Sequence, residues 1–279
     1  MPASSMVWEV SNILPLGLPP APKEEKMIDL WGNDHDHVKH SIELLQKYEP
    51  PEGYYLAFSG GKDSIVCYDL CKKAGVKFDA HYMRAMEPPE LVYFIRKHYP
   101  EVQRHLPKKT MWQLIVYNGI PPMRGGLSYC CREMKEFGGI GRLVVVGVRK
   151  QESLKRKSYQ EYDVKKVKKN QIKIMIAPIL NWTTDQVWQY IKHNKLSYPI
   201  LYDQGYKRVG CILCPNSGSK TMQLDAIKHP KIADAYKRAC VRAWDKKINP
   251  DWPTGEAMYE WWISGKSMGK DDGQGELEW

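Results

Sequence analysis

No apolar run in this 279-residue chain approaches the length of a membrane span, so the sequence predicts no helical anchor. The first residues, Met1-Pro2-Ala3-Ser4-Ser5-Met6, lack the basic stretch that opens a secretory signal. Pro15, Pro19, Pro20 and Pro22 interrupt the apolar segment behind them. A cytoplasmic protein with no membrane contact is therefore expected. An even cysteine complement is lacking as well. The 7 cysteines are Cys67, Cys71, Cys130, Cys131, Cys211, Cys214 and Cys240, and an odd number without a signal argues against a secreted disulfide framework. Internal repeats are absent. So are two phosphate-binding signatures, the G-x-x-x-x-G-K-[ST] spacing of a Walker A loop and the G-x-G-x-x-G dinucleotide fingerprint.

What is present is a chain long enough to bury a sizeable core, with 43% hydrophobic residues and 10 tryptophans. The net charge of +10 would attract a nucleotide, a phosphosulfate or a polyanion such as DNA or RNA; solubilising lysines would give the same number. The densest local signal is Ser59-Gly60-Gly61-Lys62-Asp63-Ser64, between the apolar run Tyr54–Phe58 and the helix-like Ile65–Leu70. It reads as strand, glycine turn and helix N-terminus. Two glycines let backbone N–H groups approach a ligand, the helix start favours an anion, Ser59 and Ser64 add hydroxyls, and Lys62 adds a positive charge.

Further along, strands are predicted at Phe78–Met83, Arg142–Val148 and Ile172–Ala177. Helices are predicted over 36–48, from Pro88-Pro89 onward, over Met111–Tyr117, and from Thr183 to Asn194 with a Thr183/Gln186 capping box. Alternating strands and helices imply a doubly wound parallel α/β sheet with its ligand at the carboxyl ends of the strands. Residues 1–35 read as an extended proline-rich arm, with a short helix near Lys26–Trp31. Residues 36–204 read as the α/β nucleotide-binding domain, 205–266 as a cysteine-bearing helical segment, and 267–279 as a mobile tail.

Cys130-Cys131 and Cys211-x-x-Cys214 together make four soft ligands, suited to an iron–sulfur cluster or to zinc. The adjacent pair favours iron, because structural zinc sites usually draw paired ligands from wider spacings. Arg132, Lys135, Lys207 and Arg208 would offset anionic thiolates or an anionic substrate. Cys67 and Cys71, four apart on one helix, and Cys240 among small apolar residues read as core packing. In Gly147-Val148-Arg149-Lys150-Gln151-Glu152-Ser153-Leu154-Lys155-Arg156, Arg149 and Arg156 offer planar forks for phosphate or sulfate oxygens, and Glu152 could orient them. A solvated charged loop is the alternative, since Lys157, Lys165, Lys166, Lys168 and Lys169 extend the charge run. Lys228, Lys231, Lys237, Arg238, Arg242, Lys246 and Lys247 interleave with Tyr236, Trp244 and Trp252. That pattern fits backbone contact and base stacking on a nucleic acid, or simply an amphipathic helix with a wet basic face.

The Ser59–Ser64 turn resembles the SGGxDS pyrophosphate loop of the adenine nucleotide alpha-hydrolase superfamily, the N-type ATP pyrophosphatases and their relatives. With the C-C pair, the distant C-x-x-C, the G-x-R-x-x-E-S-x-x-R element, Asn181–Trp188 and Leu201–Tyr206, the chain resembles the phosphoadenosine phosphosulfate (PAPS) reductase family over about residues 50–220. The resemblance implies an adenine nucleotide, ATP or PAPS/adenylylsulfate, at Ser59, Gly60, Gly61, Lys62, Asp63, Ser64, Arg149 and Glu152. It implies a [4Fe–4S] cluster on Cys130, Cys131, Cys211 and Cys214, and reactive-site roles for Lys62, Asp63, Arg149 and Arg156. Arg84-Ala85-Met86-Glu87-Pro88-Pro89-Glu90 replaces a segment that many members carry, so Glu87 or Glu90 either meets the nucleotide or lies in solvent. Thiol-dependent members carry a nucleophilic cysteine in a final Glu-Cys-Gly motif, and here no cysteine follows Cys240. The expected activity is therefore ATP pyrophosphatase or adenylation chemistry coupled to sulfur transfer. Mg²⁺ would accompany the nucleotide, with Asp63 as its ligand or as a loop anchor. A sulfur-donor protein such as a cysteine desulfurase and a DNA or RNA acceptor are the implied partners, with a homodimer open. A divergent sulfonucleotide reductase and a nucleic-acid-binding accessory with a structural cluster are the alternatives.

Overall fold

The computed structural model describes residues 34–124, 128–166, 172–246 and 251–266. Most of the predicted arm, the Lys26–Trp31 helix, part of the lysine run and the tail lie outside them. The chain forms two compact units. One takes the chain up to Arg84 together with Pro89–Leu106 and Phe137–Val209. The other takes Ala85–Pro88, Pro107–Glu136 and the chain from Gly210 onward.

The first unit is built on a six-stranded sheet in the order β3-β2-β1-β4-β6-β5. Its strands are β1 (Tyr54–Ala57), β2 (Phe78–Met83), β3 (Gln103–His105), β4 (Leu143–Val146), β5 (Tyr162–Lys166) and β6 (Ile172–Ile176). All neighbours are parallel except β5, which runs antiparallel to β6 at the edge. The sheet is thus the doubly wound α/β fold expected, with one reversed strand. β1 and β4 are fully paired and hold the buried runs Tyr-Tyr-Leu and Leu-Val-Val, as central parallel strands require. Part of the predicted solvated lysine loop is β5 itself; lysines on an edge strand discourage pairing with another chain.

Helices α1 (Asp34–Lys47), α2 (Lys62–Ala74), α3 (Pro89–His98) and α6 (Thr184–His193) belong to this unit. Leu45, Tyr48, Leu56, Ile65, Leu70, Leu91, Ile95 and Ile191 pack into one core with the sheet. α2 ends on Gly75 in the left-handed conformation, and α6 opens with the predicted Thr183/Gln186 capping box. Cys67 and Cys71 are fully buried in this core; burial raises both thiols, Cys71 to about 12. They are inert packing groups.

The strand order reverses at β1, which pairs with β2 on one side and β4 on the other. In such sheets the crevice at the reversal receives the ligand. The turn after β1 is Ser59–Ser64, and the turn after β4 carries Gly147 and Arg149. A Cβ on Gly147 would lie 2.8 Å from the Asp63 carbonyl carbon and 2.9 Å from the Ser64 nitrogen. Only glycine lets the two turns meet this closely. Gly147→Ala is therefore expected to push the α2 N-terminus out of place, costing about 1–3 kcal/mol of stability and weakening nucleotide binding. Thermal unfolding with and without ATP checks this.

The second unit contains α4 (Met111–Asn118), α5 (Tyr129–Met134), α7 (Ser219–Lys228), α8 (Pro230–Lys246) and α9 (Gly255–Ser264). Leu114, Ile115, Met134, Leu213, Tyr236, Ala239, Cys240, Met258 and Trp262 share its core. Sequence order places residues 107–136 in the nucleotide-binding domain, and that expectation is corrected. The apolar side of α4 packs with α8, so this stretch belongs with the C-terminal helices. Gly255 lets α9 cross α8 closely, since a Cβ there would lie 2.3 Å from Val241 Cα. No helix among the described residues is long and apolar enough to cross a membrane.

Candidate functional site

The turn after β1 is held by its own side chains. The Ser59 N–H and hydroxyl both donate to Ser64 Oγ at 3.2 Å, and the Ser64 hydroxyl donates to the Gly61 carbonyl at 2.9 Å. Gly60 sits at φ +73°, and a Cβ there would strike Ile95 and Leu91 within 2.9 Å. Both serines are thus spent on turn geometry, while the helix start supplies donors that no helical carbonyl can satisfy.

Charge is concentrated here. Lys62 and Arg149 are 5% and 2% exposed. Asp63 joins them: its Oδ2 accepts from Lys62 Nζ at 3.1 Å and its Oδ1 from Arg149 Nε at 2.6 Å. Both carboxylate oxygens are engaged by Lys62 and Arg149, which fits the loop-anchor role. The chemistry below takes no step through a protein-held Mg²⁺. Arg149 also donates to Gln151, Thr184 and the Trp182 carbonyl, pinning the turn after β4 to the start of α6. Glu152 accepts the Arg149 N–H at 3.0 Å and pairs with Arg156. Burial, followed by the nearby charges of Arg208 and Arg149, lowers the Arg156 guanidinium from its usual range. Positive charge therefore exceeds negative at this turn.

One contact has no signal in the sequence. The Tyr202 hydroxyl accepts the Lys62 N–H at 2.9 Å, and the Lys62 ammonium lies 5.7 Å from the centre of its ring. The Leu201–Tyr206 stretch is a recognisable landmark, but nothing in its residue types marks one phenol as a partner for the turn.

The four predicted metal cysteines all fall in the second unit. Cys130 and Cys131 lie on α5, and Cys211 and Cys214 bracket a tight turn before α7. All four are half-buried. A hydrogen bond with Cys131 and burial raise the Cys130 thiol, and the charges of Cys211 and Cys214 add to the effect. Among the described residues, no group of three or more His, Cys, Asp or Glu is arranged to hold a metal ion as the side chains stand. The observation that fits a soft metal or iron–sulfur cluster is the donor set itself, four thiols gathered from two distant segments.

Their surroundings are built. Ile212 N–H donates to the Met86 carbonyl at 2.8 Å, and Leu213 N–H to buried Asp225 at 3.0 Å. Leu213 takes φ +53°, a conformation that costs a branched residue about 1–2 kcal/mol, and the Asp225 contact holds it. Glu87 is not solvated. Its side chain is 4% exposed, pairs with Lys135 at 2.6 Å and lies 3.8 Å from Cys211 Sγ. Burial alone would raise the Glu87 carboxyl, but Lys135 and backbone N–H groups hold it below the usual range. Glu90 is exposed. On α8, Tyr236 is 1% exposed and Trp252 beyond it 6%, while Trp244 donates its indole N–H to the Trp252 carbonyl. Of the aromatics expected to stack bases, Tyr236 and Trp252 are core residues and Trp244 packs partly buried against the same core, and what α8 offers outward is mainly charge.

Three comparisons bear on this arrangement. The sequence is similar to an uncharacterized protein of Methanocaldococcus jannaschii, 30% identical over 224 residues, or 76% of this chain and 45% of that protein. The chain spans about half the length of the archaeal relatives it matches. It is 29% identical over 174 residues to an adenosine 5′-phosphosulfate reductase of Oceanobacillus iheyensis, covering 58% of this chain and 71% of that one. A PAPS reductase from Candida auris, solved as a phosphate complex, superimposes with a TM-score of 0.47 at 20% identity, covering 66% of this chain and 96% of that chain. Residues 53–217 match the sequence profile of the phosphoadenosine phosphosulfate reductase domain, from the start of β1 to the turn after Cys214, and the chain belongs to that family.

Proposed function

We propose that this protein binds the phosphate chain of an adenine nucleotide at the Ser59–Ser64 turn and adenylates an acceptor that then receives sulfur. The observation that carries the reading is the excess of positive charge at one turn. Lys62, Arg149, Arg156 and Arg208 stand against Asp63 and Glu152, beside the unsatisfied N–H groups of a helix start. That concentration suits a contiguous pyrophosphate more than a single sulfate. In this chemistry an acceptor oxygen attacks the α-phosphorus of ATP. The bond to the bridging oxygen breaks, and pyrophosphate leaves with the electron pair. Lys62 and Arg149 offset the charge that develops on it. A donor protein such as a cysteine desulfurase supplies a persulfide; a thiol reductant cleaves its S–S bond and is itself oxidised to a disulfide, and the hydrosulfide released attacks the acceptor carbon and expels AMP. DNA or RNA is the acceptor class that the basic surface supports. Cys130, Cys131, Cys211 and Cys214 would hold a [4Fe–4S] cluster, or zinc, and a bound cluster would offer a place to carry sulfur.

Sulfonucleotide reduction is the second reading, favoured by the relatives named adenosine 5′-phosphosulfate reductases. The deciding assay is pyrophosphate release from ATP by anaerobically purified protein. Release is expected, and Lys62→Ala should lower it by about 10²-fold. Sulfite formed from adenylylsulfate and a thiol reductant, with no pyrophosphate from ATP, would establish the second reading instead.

A further inference from the structure

We propose that the Tyr202 hydroxyl determines how the Ser59–Ser64 turn holds an anion, by occupying one backbone donor, the Lys62 N–H, that the ligand would otherwise use. The inference rests on the nucleotide reading above and names the residue that limits it.

The donors at the turn can be counted. The Ser59 N–H goes to Ser64 Oγ and the Gly61 N–H points at Ser59 Oγ, 3.4 Å away. The first-turn N–H groups of α2 belong to Lys62, Asp63 and Ser64, and helix geometry gives none of them an intrahelical acceptor. Tyr202 takes the first of the three. Its oxygen lies 2.9 Å from the Lys62 nitrogen and also receives the backbone N–H of Val209. An arriving phosphate oxygen therefore meets the Asp63 and Ser64 donors, while a phenol already sits on the third.

The phenol is fixed in place. Its ring meets Trp188 edge-on at 5.0 Å and Tyr198 at 6.5 Å, and the Lys62 ammonium lies over it. Burial pushes the hydroxyl up to about 12, so the oxygen that competes with the ligand belongs to a neutral phenol. A neutral acceptor is a weaker partner for an N–H than a phosphate oxygen. Tyr202 therefore tempers anion binding without abolishing it.

Tyr202→Phe keeps the ring and removes the competitor. With isothermal titration on the full chain, inorganic pyrophosphate and ATP are expected to bind Tyr202→Phe roughly 5- to 10-fold more tightly than wild type, with adenosine unchanged. Hydrogen exchange at the Lys62 amide should be faster in the unliganded variant and slow again with pyrophosphate. A purely structural tyrosine would instead weaken every ligand or leave all three alone. Wild type that binds pyrophosphate through Lys62, with Tyr202→Phe binding it equally or less tightly, overturns this inference alone. Wild type and Lys62→Ala both failing to bind pyrophosphate and ATP overturns the nucleotide reading and this inference with it.

Discussion

Asp63→Ala is expected to lower the unfolding temperature by about 6–20 °C and to loosen the nucleotide-binding turn. The reason is electrostatic. Asp63 is the carboxylate shared by Lys62 and Arg149, whose side chains are 6% and 3% exposed. Removing it leaves two neighbouring cations out of water with no counter-charge, a loss of about 3–5 kcal/mol. For a chain of this size each kcal/mol moves the midpoint by about 2–4 °C. Asp63→Asn, which keeps the shape and one acceptor oxygen, should lie between the two. Pyrophosphate should raise the midpoint of both variants, since it restores negative charge beside the stranded cations. A midpoint unmoved by Asp63→Ala would mean that the carboxylate is not the anchor its contacts describe.

The second large effect is expected in metal content. Purified without oxygen, the protein should carry about four iron and four acid-labile sulfide per chain. Cys130→Ser, Cys131→Ser, Cys211→Ser and Cys214→Ser should each remove most of both. Cys240→Ala is the control. Cys240 is fully buried in the second unit, where burial raises its thiol to about 12, so its loss should affect packing and not metal. Zinc without sulfide would identify the alternative filling of the same thiols. Iron and sulfide unchanged in any one of the four variants would remove that cysteine from the ligand set.

The elements the sequence reveals are those with enough residues to show a period or a cap. β1 and β4 are apolar runs, β2 and β6 are apolar stretches interrupted by polar residues, and α6 is announced by Thr183 and Gln186. β3 escapes because Gln103-Arg104-His105 is three polar residues whose place comes from pairing with β2. α5 is six residues long and carries two cysteines, so the ligand motif hides the helix beneath it. β5 is hidden by its lysines. At the site, residue type gives the Ser59–Ser64 turn, both arginines and Glu152 beside them, but not the other protein partners of Arg149. Arg149 spends contacts on Asp63, Gln151 and Thr184, because a buried guanidinium must be satisfied by whatever surrounds it. The Tyr202 and Glu87–Lys135 contacts link positions far apart in sequence, and no local pattern encodes them.

The interleaving of the two units bears on how the protein is made. Residues 107–136 leave the ribosome well before the chain from Gly210 onward that completes their core. At ordinary elongation rates the Cys130-Cys131 pair waits on the order of ten seconds for Cys211 and Cys214. During that interval the early thiols lack the shelter of their finished unit and are open to oxidation or to scavenging of stray metal. The reducing state of the compartment while translation proceeds therefore helps to decide how much of the finished protein can load its cysteine site.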